Sequence, residues 1–284
     1  MKKMLKEIVL SVEDIIKFIR PLGLITFVKK FRYDVKLLNK KNNIIIVGNG
    51  PSATQFFDEV SKHRDNFDLC TVNFAILTKS FFDVRPEYLV LADPLFFTHL
   101  EDERVKNVLA TITKVNWKLT ILIPYSKDKS FRKVVERNIN VQLMFFSGIC
   151  WDAKSIIGRW LRMRLYCLGL LSPRIQNVIV ACIFCSIHLG YREIKLYGVE
   201  HSWIKDIVVN EKNEVCLVDR HYYGTEKKPW KKDEFNTFKM DEILNTLAYT
   251  FKSYWELNEL AKAKNVRIVN MTKESFIDAF EREK

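Results

Sequence analysis

The sequence predicts an α/β protein, a Rossmann-type parallel sheet flanked by helices, with a basic helical leader before it and a lid segment within it. Three observations carry that reading. From Asn43 onward short apolar runs alternate with helical stretches, a glycine-rich turn follows the first run, and 284 residues at 48 % hydrophobic content can bury a large core. Disorder and fibrous architectures are excluded at that composition.

The leader spans residues 1–41. It holds eleven Lys or Arg against four acids, so +7 of the formal +12 lies there. Leu5, Ile8, Val9, Val12, Ile15, Ile16 and Ile19 recur at helical spacing. Glu7, Glu13 and Asp14 interrupt the apolar run and argue against a signal peptide, and Leu22 to Val28 is far short of a membrane span. Such a helix either lies in the headgroup region of an anionic leaflet or packs on its own domain, and the pattern leaves both open.

The remainder, 42–284, reads as one domain. Strands are expected at 44–47, 69–72, 88–91, 119–123, 141–145, 194–197 and 266–269, a helix opens at about 51, and long helices occupy 173–189 and 237–264. Strands separated by helices imply crossover connections and parallel pairing. The stretch from about 204 to 235 is charged and broken by Pro229, and is read as an irregular lid. A short helix is expected near Ser275. The run from Arg159 to Tyr166 alternates like a strand or winds as a surface helix that joins the leader at a membrane face. Six scattered cysteines fit reduced thiols, and Cys182 and Cys185 sit in an apolar run that suits core packing rather than zinc.

The strongest local signal is IIIVGNGPSATQFF. It places Gly48, Asn49, Gly50, Pro51 and Ser52 directly after a buried strand and at the start of a helix, the arrangement of a phosphate loop. With Ala53 the run also satisfies a relaxed GxGxxA dinucleotide fingerprint, which asks for an acid closing the second strand. Asp68 instead precedes that strand and Asn73 closes it, which favours a ribose or base contact over NAD; a turn without ligand is the bland alternative. Asp93 stands at the end of the next strand, as a ligand contact or as the cap of the following helix. Ligands of open parallel sheets sit outside the carboxyl edges, which would gather these segments.

These residues carry a resemblance. GNGPS after the first strand, Asn73 closing the second, a Pro-containing strand end followed by LFF, an Arg-Ile pair opening a long helix, LGYREIKLYG and His-Tyr-Tyr-Gly together resemble the bacterial sialyltransferases of glycosyltransferase family 42. They also resemble surface-polysaccharide proteins related to the archaeal hydroxymethylpterin pyrophosphokinase-like domain. The likeness covers residues 43 to about 280, in islands. It implies a GT-A-like fold in which Asn49, Gly50, Ser52 and Asn73 bind the CMP part of a CMP-sugar, Arg174 approaches the reacting groups and His221 is the general base. This sequence has Asp93 where the family has Asn, and Gln176 and Asn177 where it has Thr and Ser. The segment 198–203 lacks the family's phosphate-contacting tyrosine.

The implied activity is an inverting, metal-independent transfer of an acidic sugar, sialic acid-like or Kdo-like, to a lipopolysaccharide or capsule acceptor. Arg174, Tyr222 or Tyr223, and the loop N–H groups would carry the leaving phosphate, with Asn177 among the nucleotide contacts and no cofactor beyond the CMP-sugar itself. Glu200 and His201 follow the strand at 194–197, where the acid could orient the imidazole or act as a second base, or where the pair is accidental. Arg174 opposes the helix dipole as a helix-start residue, which favours an anionic partner. The expected setting is cytoplasmic, peripheral on the inner face of the bacterial membrane, with a glycan or glycolipid acceptor. A homo-oligomer is compatible with the sequence, and no nucleic-acid motif is recognised. The rival readings are a pyrophosphokinase-like enzyme using ATP and a pterin, and a membrane-docked scaffold without turnover.

Overall fold

A computed structural model of the chain describes residues 2–28, 41–60, 66–125, 129–221, 224–232 and 236–283. The strands in chain order are β1 (Asn43–Val47), β2 (Phe67–Val72), β3 (Tyr88–Val90), β4 (Leu119–Pro124), β5 (Val141–Phe146), β6 (Glu193–Tyr197), β7 (Ile207–Val209), β8 (Val215–His221), β9 (Gly224–Pro229), β10 (Arg267–Asn270) and β11 (Glu281–Arg282). Eight of them form one sheet in the order β11-β10-β6-β1-β2-β3-β4-β5, and every pairing in it is parallel. The expected α/β architecture is therefore present. The helices are α1 (Lys2–Val28), α2 (Ala53–Val60), α3 (Lys79–Val84), α4 (Leu95–Thr98), α5 (Glu103–Ile112), α6 (Lys129–Val135), α7 (Ile156–Cys167), α8 (Val178–His188) and α9 (Met240–Ala263).

The central strand shows how the sequence makes three layers. Side chains alternate across a strand, so Ile44 and Ile46 of β1 pack with α8 on one face while Ile45 and Val47 pack with Phe56 of α2 on the other. A strand covered on both faces reads as an uninterrupted apolar run, as this one does. Helix α8 is apolar all round and every residue from Ile179 to Ile187 is buried, the pattern of a helix inside a core. Tyr254, Leu257 and Leu260 of α9 complete that cluster. Cys182 and Cys185 are buried free thiols within it, and burial pushes the Cys182 thiol well up.

Helix α1 is fastened to the start of α7 by Asp14 and, at the surface, by Glu7, which accepts from the Ile156 N–H. Asp14, 2 % exposed, accepts hydrogen bonds from the Lys154 N–H at 2.9 Å, the Ser155 N–H at 2.8 Å and the Ser155 hydroxyl at 2.6 Å. Ser155 in turn caps α7 by accepting from the Gly158 N–H. Inside the domain, Arg162 of α7 pairs with Glu256 of α9 at 3.2 Å, and the Tyr166 hydroxyl donates to the same carboxylate.

Three expectations are corrected and one open alternative is decided. The segment from 204 to 235 is not irregular: β7, β8 and β9 form a separate antiparallel sheet. Strands β7 (Ile207 to Val209) and β8 (Val215 to Val218) carry short apolar runs, and β9 is recruited by its backbone ladder rather than by any apolar pattern. Helix α8 starts at Val178 rather than near 173, because the Asn177 side chain accepts from the Ile179 N–H and fixes the start. There is no helix near Ser275; its hydroxyl donates to the Val199 carbonyl at 2.6 Å and the chain runs on into β11. The stretch Arg159 to Tyr166 is helical, within α7.

Burial raises the Asp14 carboxyl, but the bonds from the Ser155 hydroxyl and the two N–H groups, with Lys17 nearby, outweigh it and hold the group below its ordinary value. A depressed carboxyl contributes stability above its unfolded pKa and loses it as pH falls through the folded one. Asp14→Ala should cost about 3 kcal/mol by denaturant unfolding at neutral pH, with the gap to wild type closing below about pH 4.

Candidate active site

The sheet order reverses at β1, with β2 to β5 on one side and β6, β10 and β11 on the other. Such a switch point opens a crevice outside the carboxyl ends of its strands. Here the turn after β1, the turn after β6 and Asn73 after β2 line a cleft of about 500 Å³. Asn177, Val178 and Ile179 bring the N-terminus of α8 to it, and Leu217 and Val218 of β8 close it.

The turns after β1 and β6 are in direct backbone contact. The Gly48 N–H donates to the Tyr197 carbonyl at 2.8 Å and the Gly50 N–H to the Gly198 carbonyl at 2.9 Å. A Cβ at Gly48 would lie 2.4 Å from the Gly198 oxygen, and one at Gly50 would lie 1.7 Å from Oε2 of Glu200. Both glycines are therefore set by proximity. The Ser52 N–H donates to Oε1 of Glu200 at 2.8 Å and the Ala53 N–H to the Gly50 carbonyl at 3.0 Å. This corrects the expected phosphate loop: the N–H groups of Gly48, Gly50, Ser52 and Ala53 are taken internally. A carboxylate of the chain itself holds the position at the start of α2 where an anion was expected.

Glu200 also does not orient His201. Its Oε1 is on Ser52 and its Oε2 is buried without a hydrogen-bond partner. His201 is 6 % exposed, has a left-handed φ of 52°, and packs its ring 4.4 Å from Trp203, with Nε2 lying 2.5 Å from the Tyr254 hydroxyl. Burial lowers its pKa to about 3. A neutral imidazole so tied is far from the optimum of a base working at neutral pH. His201 is thus a packing residue at the cleft wall rather than the catalytic candidate that the sequence offered.

Asn73 lines the cleft with a φ of 46°, a conformation Asn tolerates better than most residues. Its Oδ1 is buried without a partner. Asn49 and Pro51 line the cleft as exposed residues. Asn177 borders both this cleft and a second chamber of about 340 Å³, with Trp203 and Leu217 as the shared wall. Trp230 and Phe238 line that chamber further in, with Thr246 and Thr250 of α9 among its polar groups. Sequence reasoning missed this aromatic chamber; the signal was the pair of tryptophans, Trp203 and Trp230, inside a stretch otherwise rich in charge.

Two expected residues stand elsewhere. The Asp93 carboxylate accepts from the Leu95 N–H at 2.9 Å, which makes it the cap of α4, and it does not line the cleft. Arg174 stacks on Tyr249 with its Cζ 4.1 Å from the ring centroid, and borders a separate small crevice with Asp152, Lys252 and Glu256. It precedes α8 by four residues instead of opening it. The backbone of His221 ends β8, opposite Gly224, on the strand that gives Leu217 and Val218 to the cleft. Its side chain, and Tyr222 and Tyr223 altogether, lie outside the described residues. Asp68 is at the amino end of β2, where it accepts from the Tyr191 hydroxyl at 2.5 Å and the Lys41 N–H at 2.9 Å, so no acid closes β2. Among the described residues no His, Cys, Asp and Glu side chains converge in the manner of a metal site.

Gly50→Ala should destabilise by about 1–3 kcal/mol in thermal or urea unfolding. Glu200→Ala in the same chain should recover part of that loss, because one of the two clashing groups is then gone. A second prediction concerns pH. His188, lowered to about 4 chiefly by burial, joins His201 in being neutral when folded. Between the unfolded value of about 6.5 and these lower values the unfolded chain binds more protons. Stability should then fall by about 1.4 kcal/mol per pH unit from each histidine as pH drops below 6.5. His201→Gln, followed by urea unfolding at several pH values, should remove one histidine's share of that slope.

No family model and no curated protein matches the sequence. Among solved structures, the fold is similar to that of the MAf glycosyltransferase from Magnetospirillum magneticum AMB-1, with a TM-score of 0.50 and 11 % identity over 87 % of this chain and 34 % of that one. The chain thus spans about a third of the length of that protein. The likeness is one of fold: an α/β, Rossmann-type architecture of glycosyltransferase-like form.

Proposed function

We propose that the chain is a glycosyltransferase whose cleft holds a CMP-activated acidic sugar and whose aromatic chamber receives the glycan or glycolipid acceptor, in lipopolysaccharide or capsule synthesis. One observation carries the choice of donor. The N-terminus of α8 faces the cleft, while the described lining residues include no Lys or Arg and do include Glu200 and Asp206. A helix N-terminus carries roughly half a positive charge, which suits the single negative charge of the phosphodiester, with the carboxylate of the acidic sugar held away from Glu200 and Asp206. It suits a diphosphate or triphosphate poorly without further cations. The same reasoning weighs against the ATP-dependent pyrophosphokinase reading, in which several charges would crowd Glu200.

The roles follow from the groups present. Asn73, with an uncommitted acceptor, would meet a ribose hydroxyl or the base amine. The α8 N-terminus would steady the leaving phosphate as its charge grows, and His221 is proposed to take the proton from the acceptor hydroxyl. Trp203 and Trp230 offer flat apolar faces against which a sugar ring can pack. The resemblance to glycosyltransferase family 42 and the fold shared with a MAf glycosyltransferase support the reaction class.

Isothermal titration with CMP, UMP and ATP, each with and without Mg²⁺, tests the donor. CMP should bind without Mg²⁺, and Asn73→Ala should weaken it by about tenfold, the worth of one hydrogen bond. Failure of every cytidine nucleotide to bind removes the donor assignment. His221→Ala should retain CMP binding while donor turnover falls by about 10²- to 10⁴-fold; undiminished turnover would refute the base.

A further inference from the structure

We propose that α1 is a docking device that lays the protein on an anionic lipid bilayer, with α7 contributing to the same contact. The observation is a helix that packs one side on the domain and still exposes a second, wide apolar side. In a helix packed on its own domain the apolar stripe faces inward. In α1 the side turned to the protein is mixed: Leu10, Phe18, Pro21 and Ile25 pack on the domain, with Ile25 in the main core, while Asp14 is buried and bonded to the start of α7 and Glu7 accepts from the Ile156 N–H. The opposite side carries Leu5, Ile8, Val12, Ile15, Ile19 and Leu22, each 51–67 % exposed. Because Asp14 is locked by three donors, the helix cannot roll its apolar side inward without stranding a buried carboxylate.

Charge selects the occupant. Three basic side chains, Lys6, Lys17 and Arg20, follow one edge of the stripe, with Glu13 as the acid among them. The helix belongs to a segment with +7 of the chain's +12. A second copy would bring the same basic edge against itself, whereas an anionic leaflet complements it. Val9 and Ile16, also exposed, widen the apolar arc beyond the narrow seam of a two-helix coiled coil. Next to α1, helix α7 exposes Ile157 and Trp160, the latter under the Arg164 guanidinium at 5.2 Å. An aromatic ring topped by a cation is suited to the headgroup boundary. No helix among the described residues is long and apolar enough to cross a membrane, so the contact is one of lying on the surface. This inference does not depend on the donor or on turnover.

The test is flotation of the full-length protein with vesicles of phosphatidylethanolamine and phosphatidylglycerol, compared with vesicles of phosphatidylcholine alone. Wild type should float with the anionic vesicles, and added salt should weaken the association. Ile8→Gln, Ile15→Gln and Ile19→Gln combined should reduce binding by tenfold or more while leaving the melting temperature unchanged, since these side chains are exposed already. Lys6→Gln, Lys17→Gln and Arg20→Gln should each reduce it about fivefold. Equal binding of the triple isoleucine variant and wild type would overturn the proposal. So would absence of vesicle binding together with a sedimenting dimer that the triple variant dissolves, which would assign the face to a second copy.

Discussion

Two turns of the chain, one leaving β1 and the other leaving β6, meet backbone to backbone, and the cleft exists because they can. A parallel sheet brings adjacent strands to a fixed separation, so the loops that leave a switch point normally diverge to opposite faces. Here they instead exchange hydrogen bonds through Gly48, Gly50 and Gly198. The C-terminal segment then props the second turn from outside, with the Ser275 hydroxyl on the Val199 carbonyl and the Phe276 N–H on that of Glu200. Gly48, Gly50, Ser52 and Glu200 take their positions from this join.

The join also decides the chemistry of the cleft. Once Glu200 has filled the start of α2, the loop after β1 is a wall rather than an anion receptor. Positive potential is left to α8, which enters from the far side and is anchored by the core along its whole length. The floor of the cleft is accordingly rigid and polar in a restrained way. A glycine-rich sequence after a strand had two physical outcomes open to it, and the partner that chose between them lies 148 residues away in the chain.

That distance explains what could be read from the residues alone and what could not. The strands were legible because β1, β2 and β4 are apolar runs of the length a buried strand needs. The gathering of Gly48, Asn73 and Glu200 at one edge was legible too, since parallel strands end on the same side. The choice between cap and ligand contact at Asp93 and the packing of His201 against Tyr254 were not, because a polar side chain shows its type but not its partner. The antiparallel sheet was hidden for another reason: β9 has no apolar residue before its closing proline and is held by its ladder to β8. In α1 the periodicity disclosed an apolar side, and only Asp14 disclosed which way that side turns.

The cleft is bounded by two kinds of wall. One comes from β1, β2, β6 and α8, all continuous with the main core, and any volume change there disturbs tightly packed neighbours. The other comes from β8 and from Trp203 and Trp230, which belong to or flank the small sheet standing apart from the large one. Substitutions on that second wall reshape the chamber while the scaffold stays intact. Leu217 and Trp203 belong to both spaces, so a change at either position alters the cleft and the chamber together.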